Sequence, residues 1–136
     1  MNKPKPSIEF HLDHRSGVPP YLQLVHQVKQ ALRLGFLVLG DQLPTMRMVV
    51  SQVVINPNTV FKAYRELEME GLVESRPGQG TFIVRTLADD SLDQHEVLRA
   101  SLKKWIDEAF AAGLNEESVT ALFVSTLQRM IKETQK

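Results

Sequence analysis

The step Ile55-Asn56-Pro57 constrains this 136-residue chain more than any other feature. Proline lacks an N–H and pushes the residue before it out of the α region, so no helix runs through the step. The same ring is well tolerated in the first turn of a helix, and an Asn just before it carries a capping side chain. The step therefore predicts a short helix that stops near Ile55 and a new one that opens at Pro57 behind Asn56. Upstream, Leu39-Gly40-Asp41-Gln42-Leu43-Pro44 reads as turn material, and Thr45 can cap a helix beginning at Met46. Downstream, Val60, Tyr64 and Leu67 recur at i, i+4 and i+7 on one face, and Gly71 stops the helix.

The flanks complete the pattern. Tyr21, Leu24, Val25, Val28 and Leu32 form one apolar stripe of a helix that Pro20 opens and Gly35 closes. Ile8-Glu9-Phe10-His11-Leu12 alternates apolar with polar, which predicts a short strand after a loose arm at residues 1–7. Two more strand-like runs, Leu72-Val73-Glu74-Ser75-Arg76 and Thr81-Phe82-Ile83-Val84-Arg85, are joined by Pro77-Gly78-Gln79-Gly80 into a hairpin. A helix-turn-helix followed by a hairpin is the winged form of that DNA-binding unit. Leu87-Ala88-Asp89-Asp90 reads as a linker. Beyond it, a helix from about Ser91 to Ala112 stops at Gly113, and a second is capped by Asn115, with Glu116 and Glu117 in its first turn. The expected class is mainly α with a small β-hairpin: a winged helix-turn-helix over residues 8–85 and a two-helix tail over residues 91–135.

Charge separates along the same line. Residues 1–85 hold 10 Lys/Arg and 7 Asp/Glu, net +3, whereas residues 86–136 hold 6 and 9, net −3, so a neutral total hides a mildly basic front. There is no cysteine, which excludes a disulfide framework, a thiolate nucleophile and Cys-based metal sites. His11, His14, His26 and His95 are scattered without metal-ligand spacing, and no metal is expected. The G-x-G at Gly78 and Gly80 is not a nucleotide cradle. Position 83 is Ile where a third glycine would stand, and the loop joins strand to strand instead of strand to helix. No catalytic constellation is apparent, so neither an enzyme nor a cofactor is expected. No run approaches the roughly 18 apolar residues of a membrane span, and the opening MNKPKPSIEF has no signal-like apolar stretch, so the expected location is the cytoplasm, with no membrane partner.

Residues in order and at fixed spacing carry a family resemblance. They are Pro20-Tyr21-x-Gln23; Gly40-Asp41-x-Leu43-Pro44-Thr45-x-Arg47; Asn56-Pro57-Asn58-Thr59-Val60-x-Lys62-Ala63-Tyr64-x-x-Leu67-Glu68-x-x-Gly71; and Gly78-x-Gly80-Thr81-Phe82. From about Phe10 to Val84 the chain resembles the N-terminal domain of the GntR family of bacterial transcription regulators. Its tail of about 50 residues is similar to that of the short YtrA-type subfamily. Two positions depart from the family pattern. Val49-Val50 stand where Leu-Ala is common. Val54 occupies the turn where Gly, Asn or another small or polar residue is usual. A β-branched residue resists positive φ, so either this turn uses another conformation or the second helix runs on toward Ile55.

The third helix sorts its residues by angle at about 100° per position. Val60, Ala63, Tyr64 and Leu67 fall on the core side. Asn58, Lys62, Arg65 and Met69 fall opposite, with Phe61 at the border. The polar side suits a major groove, with Asn58 on adenine, Arg65 on guanine, Lys62 on phosphate and Phe61 on a thymine methyl. The resemblance implies that Arg47 contacts DNA; the alternative is a structural pairing with Glu66 or Glu70. Thr45 and Thr59 would offer hydroxyls to phosphates, and Asn56 is counted with the same surface. Gly78, Gln79 and Gly80 would form the wing tip, with a plain hairpin turn as the bland alternative.

The tail cannot bury both of its faces alone. Leu98, Leu102, Trp105, Phe123, Leu127 and Met130 are therefore expected to build a homodimer interface, matched to an inverted-repeat site on double-stranded DNA. The expected function is a sequence-specific transcriptional repressor. The alternative is an architectural DNA-binding or protein-interaction module without sequence preference. A small-molecule effector stays open.

Overall fold

A computed structural model of the chain describes residues 8–89 and 92–135. The expectations for residues 1–7, Asp90 and Ser91 lie outside these. The order is α1 (Pro20–Arg33), α2 (Met46–Gln52), α3 (Pro57–Met69), β1 (Val73–Arg76), β2 (Gly80–Ile83), α4 (Leu92–Ala111) and α5 (Glu116–Thr134). The chain divides into two compact units, Met1–Leu92 and Asp93–Lys136.

In the first unit the helix starts follow from local chemistry. Pro20 and Pro57 sit in the first turns of α1 and α3. Thr45 Oγ1 accepts the Met48 N–H at 3.2 Å, and Asn56 Oδ1 accepts the Asn58 N–H at 2.8 Å, so both caps satisfy donors that a helix leaves unpaired. At the far end of α3, Gly71 takes φ +78°, and the chain reverses with Leu72 N–H donating to Leu67 O. Leu24, Val28 and Leu32 of α1 meet Val60, Ala63 and Leu67 of α3 in one core, closed by Val49, Leu72 and Ile83.

The turn at Val54 resolves the question raised by its branched side chain. No residue other than glycine has positive φ among the described residues, and Val53 is extended at φ −135°, ψ 152°. The turn uses extended backbone, α2 ends at Gln52, and Val54 is left 90% exposed.

The expected strand at Ile8–Leu12 is not formed. Phe10 is buried in the core, but the segment pairs with no strand. Two glutamines one turn apart on α1 take the place of a ladder. His11 N–H donates to Gln27 Oε1 at 3.1 Å, and Gln27 Nε2 donates to His11 O at 2.7 Å. Asp13 has the same reciprocal pair with Gln23, at 2.8 and 2.9 Å. Side-chain amides thus satisfy an extended backbone without a sheet.

The hairpin pairs Val73 with Ile83 and Arg76 with Gly80 in antiparallel register. Part of the segment expected as a turn adds to it as an edge. Leu43 N–H donates to Thr81 O, Ile83 N–H to Asp41 O, and Gly40 N–H to Ile83 O, at 2.8–2.9 Å. The wing is therefore tied directly to the chain that enters α2.

In the second unit Ala109 and Val119 are buried between α4 and α5, and the Trp105 and Phe123 rings lie 6.4 Å apart. Asn115 caps α5 by accepting the Ser118 N–H at 2.8 Å. Leu98, Leu102, Phe123, Leu127 and Met130 stay exposed. Among the described residues no helix is long and apolar enough to cross a membrane.

Candidate nucleic-acid interface

Three elements meet at one cleft of about 410 Å³: the start of α2, one side of α3, and the wing. Thr45 and Met46 come from α2, Phe61, Tyr64, Arg65 and Glu68 from α3, and Ser75, Gly80 and Thr81 from the hairpin. The cleft is braced at three points. Tyr64 donates its hydroxyl to Pro44 O at 2.6 Å, fixing α3 to the residue before the α2 cap. Burial pushes that phenol well above its ordinary value. Glu68 Oε2 accepts the Ser75 N–H at 2.7 Å and ties the end of α3 to β1. Gln42 Nε2 donates to Gln79 O at 3.1 Å, holding the wing tip from the edge side.

Gly80 is required by two observations. Its φ is +130°, and a Cβ built there would collide with the Gln42 side-chain amide. The close approach is what lets Gln42 reach the tip.

The residues singled out from sequence as DNA contacts take four placements. Thr45, Phe61, Arg65 and Gly80 are brought together at the cleft. Arg47, Asn58, Gly78 and Gln79 are exposed on the same three elements, whereas Thr59 is half-buried. Asn56 is exposed, with its side-chain oxygen engaged in capping. Lys62 is exposed but drawn aside, its ammonium 3.9 Å above the centre of the Tyr21 ring on α1. The angular sorting holds where burial tests it: Val60, Ala63 and Leu67 are fully buried, and Asn58, Phe61, Lys62, Arg65 and Met69 are exposed.

Arg47 does not take the structural pairing with Glu70, which accepts Lys29 Nζ at 2.7 Å instead. Among the described residues neither Arg47 nor Arg65 is in an ion pair. Met46, Tyr64, Glu68, Ser75 and Thr81 line the cleft but were not singled out as contacts from sequence. Met46 hides as an ordinary first-turn residue, Tyr64 reads as core, Glu68 enters only with the family pattern, and Ser75 and Thr81 read as strand positions. Arg76 was also missed. Its guanidinium stacks 4.6 Å from the Phe82 ring centre, steadied by Glu74 at 3.2 Å. A cation directly before the Pro-Gly tip was the available signal. Among the described residues no group of three or more His, Asp or Glu could hold a metal ion.

Comparison with known proteins agrees with this geometry. The family model for bacterial regulatory proteins of the gntR family matches residues 20–83, which runs from the first residue of α1 to the last of β2. The HTH-type transcriptional repressor YtrA of Bacillus subtilis is 36% identical over 111 residues, covering 81% of this chain and 85% of the relative. A crystal structure described as a transcriptional antiterminator from Listeria monocytogenes is 30% identical at TM-score 0.56, covering 92% of this chain and 94% of that one. YtrA from Sulfolobus acidocaldarius, a GntR-family transcription factor, is 26% identical at TM-score 0.53, covering 72% and 97%. A relative matched along most of both chains, and a family model that spans the helix-turn-helix and its wing, leave one conclusion: the chain belongs to the GntR family of bacterial regulatory proteins and is a transcriptional regulator with a winged helix-turn-helix fold.

Proposed function

We propose that the chain is a cytoplasmic repressor that binds an inverted-repeat operator as a homodimer. The observation that carries the reading is the convergence of Thr45, Arg65 and the Gly80 end of the wing on one cleft, beside exposed Asn58 and unpaired Arg47. Asn58 and Arg65 read base edges, because the Asn58 amide pairs a donor with an acceptor as adenine requires and the Arg65 guanidinium offers the two donors that guanine requires. Arg47, Thr45, Thr59, Asn56 and Lys62 hold the backbone. The wing tip at Gly78, Gln79 and Gly80 lets its main chain approach the sugar-phosphate wall.

Dimerisation falls to the tail. A groove of about 350 Å³ between α4 and α5 is lined by Leu102, Trp105, Phe123, Leu127 and Met130, with Leu98 one turn before Leu102. Leu98, Leu102, Phe123, Leu127 and Met130 are exposed apolar side chains, and a self-complementary apolar face of this kind suits a second copy. Deleting residues 91–136 is expected to give a monomer with much weaker operator binding; a truncated protein that still sediments as a dimer refutes the assignment.

The test of function is selection of bound duplexes from a random DNA pool at about 150 mM salt, where non-specific binding is suppressed. Enrichment of an inverted repeat is expected. Arg65→Ala and Asn58→Ala should then each relax one position of the half-site, where a wrong base otherwise costs about 1–3 kcal/mol. Binding that is indifferent to sequence and vanishes as salt rises would favour an architectural role instead.

A further inference from the structure

The recognition surface carries apolar groups that the core does not use. Phe61 is 58% exposed and Met46 is 37% exposed, and neither belongs to the buried cluster. Both line the same cleft as Arg65, which stands one helical turn beyond Phe61. An aromatic ring and a thioether left open beside a guanidinium present an apolar surface with a charged edge.

The other polar groups of the cleft limit what can fill it. Thr45 Oγ1 already accepts the Met48 N–H, which leaves its rotatable hydroxyl proton available to donate to an acceptor such as a phosphate oxygen. Glu68 is a carboxylate fixed on Ser75 N–H, and its charge repels a phosphate from that end of the cleft. The apolar part therefore faces a base edge and not the backbone. The major groove offers one apolar group there, the methyl on C5 of a pyrimidine. Thymine carries it always, and 5-methylcytosine carries it at the same carbon.

We propose that Phe61 and Met46 form a reader for the C5-methyl group of a pyrimidine next to the base contacted by Arg65. The inference rests on the sequence-specific regulator reading and adds what that regulator recognises. Four residues of helix advance about 6 Å, so the methyl lies one or two base-pair steps from the Arg65 base. The protein thereby senses whether that methyl is present, in addition to the hydrogen-bonding code.

The test uses the full-length protein and the operator obtained from the random pool. Each thymine is replaced in turn by deoxyuridine, which removes only the methyl. Each cytosine is replaced in turn by 5-methylcytosine. One deoxyuridine position per half-site should weaken binding about 4-fold, and both together about 15-fold, as expected for one buried methyl per half-site. That result assigns thymine as the source. A cytosine at which methylation strengthens binding by a similar factor assigns 5-methylcytosine instead. In either case Phe61→Ala should bind the methylated and unmethylated duplexes equally. Wild-type protein that is indifferent to every such replacement overturns the proposal. So does a Phe61→Ala protein that keeps full discrimination. A pool that enriches no sequence overturns the regulator reading itself, and the methyl reader with it, so the two failures are distinguishable.

Discussion

Removing one oxygen at Tyr64 tests whether the bond from its hydroxyl to Pro44 O holds the cleft. Tyr64 donates to Pro44 O at 2.6 Å, and Pro44 is buried, so Tyr64→Phe leaves that carbonyl without its donor. A lost hydrogen bond that strands a buried acceptor costs about 1.5 kcal/mol. The same residue gives a pH signature. Burial raises the folded-state value above the ordinary phenol value of about 10. Above that pH the unfolded chain releases a proton that the folded chain keeps. Stability is thus fully present below about pH 10 and falls by about 1.4 kcal/mol per unit as pH rises toward the folded value. Tyr64→Phe lacks this loss. The two stability curves should therefore be separated by about 1.5 kcal/mol at neutral pH and meet near pH 11. Urea unfolding followed by far-UV circular dichroism, repeated from about pH 8 to pH 11, measures both. Equal stability at neutral pH, or an alkaline loss of the same slope in the Phe variant, refutes the reasoning.

Other perturbations separate stability from binding. Gly80→Ala meets both the positive φ and the Gln42 amide, and should lower stability by about 1–2 kcal/mol; pairing it with Gln42→Ala relieves the collision but not the backbone strain, so thermal melting should show only partial recovery. Asn56→Ala removes the α3 cap and should cost about 1 kcal/mol in the same assay, whereas Asn56→Asp should retain most of it. Lys62→Ala should weaken binding to all sequences alike and flatten the dependence of log K on log salt by about 0.9 per half-site. It should also lose about 0.5 kcal/mol of stability with its ring contact, a loss that Tyr21→Leu should reproduce without changing the salt slope.

What was legible in the sequence was whatever local chemistry decides. Thr45, Asn56 and Pro57 mark helix starts because the groups they satisfy lie within three residues, and Gly71 marks an end for the same reason. The buried side of α3 was legible because period alone decides it. What was hidden depends on partners distant in sequence. Alternation at Ile8–Leu12 signals extended backbone, but not what satisfies it, and here Gln23 and Gln27 do so in place of a strand. The edge formed by Asp41 and Leu43 was invisible because its partner, β2, lies about 40 residues on. The recognition face shows the same limit at finer scale. A helical wheel assigns an angle to each Cα and says nothing of where a long stem carries its charge. Lys62 sits between the outward face of α3 and the side that meets α1, so a small swing of its four methylenes takes the ammonium either toward DNA or onto Tyr21. Tyr21 decides the resting position because it offers a ring face at the opening of α1, beside the helix it packs on. Cation–π energies at exposed sites are about 0.5–1 kcal/mol, small against a charge-assisted phosphate contact. The ring therefore parks the cation near the groove without withholding it, which is why one substitution at Lys62 is expected to register in both the melting curve and the salt slope.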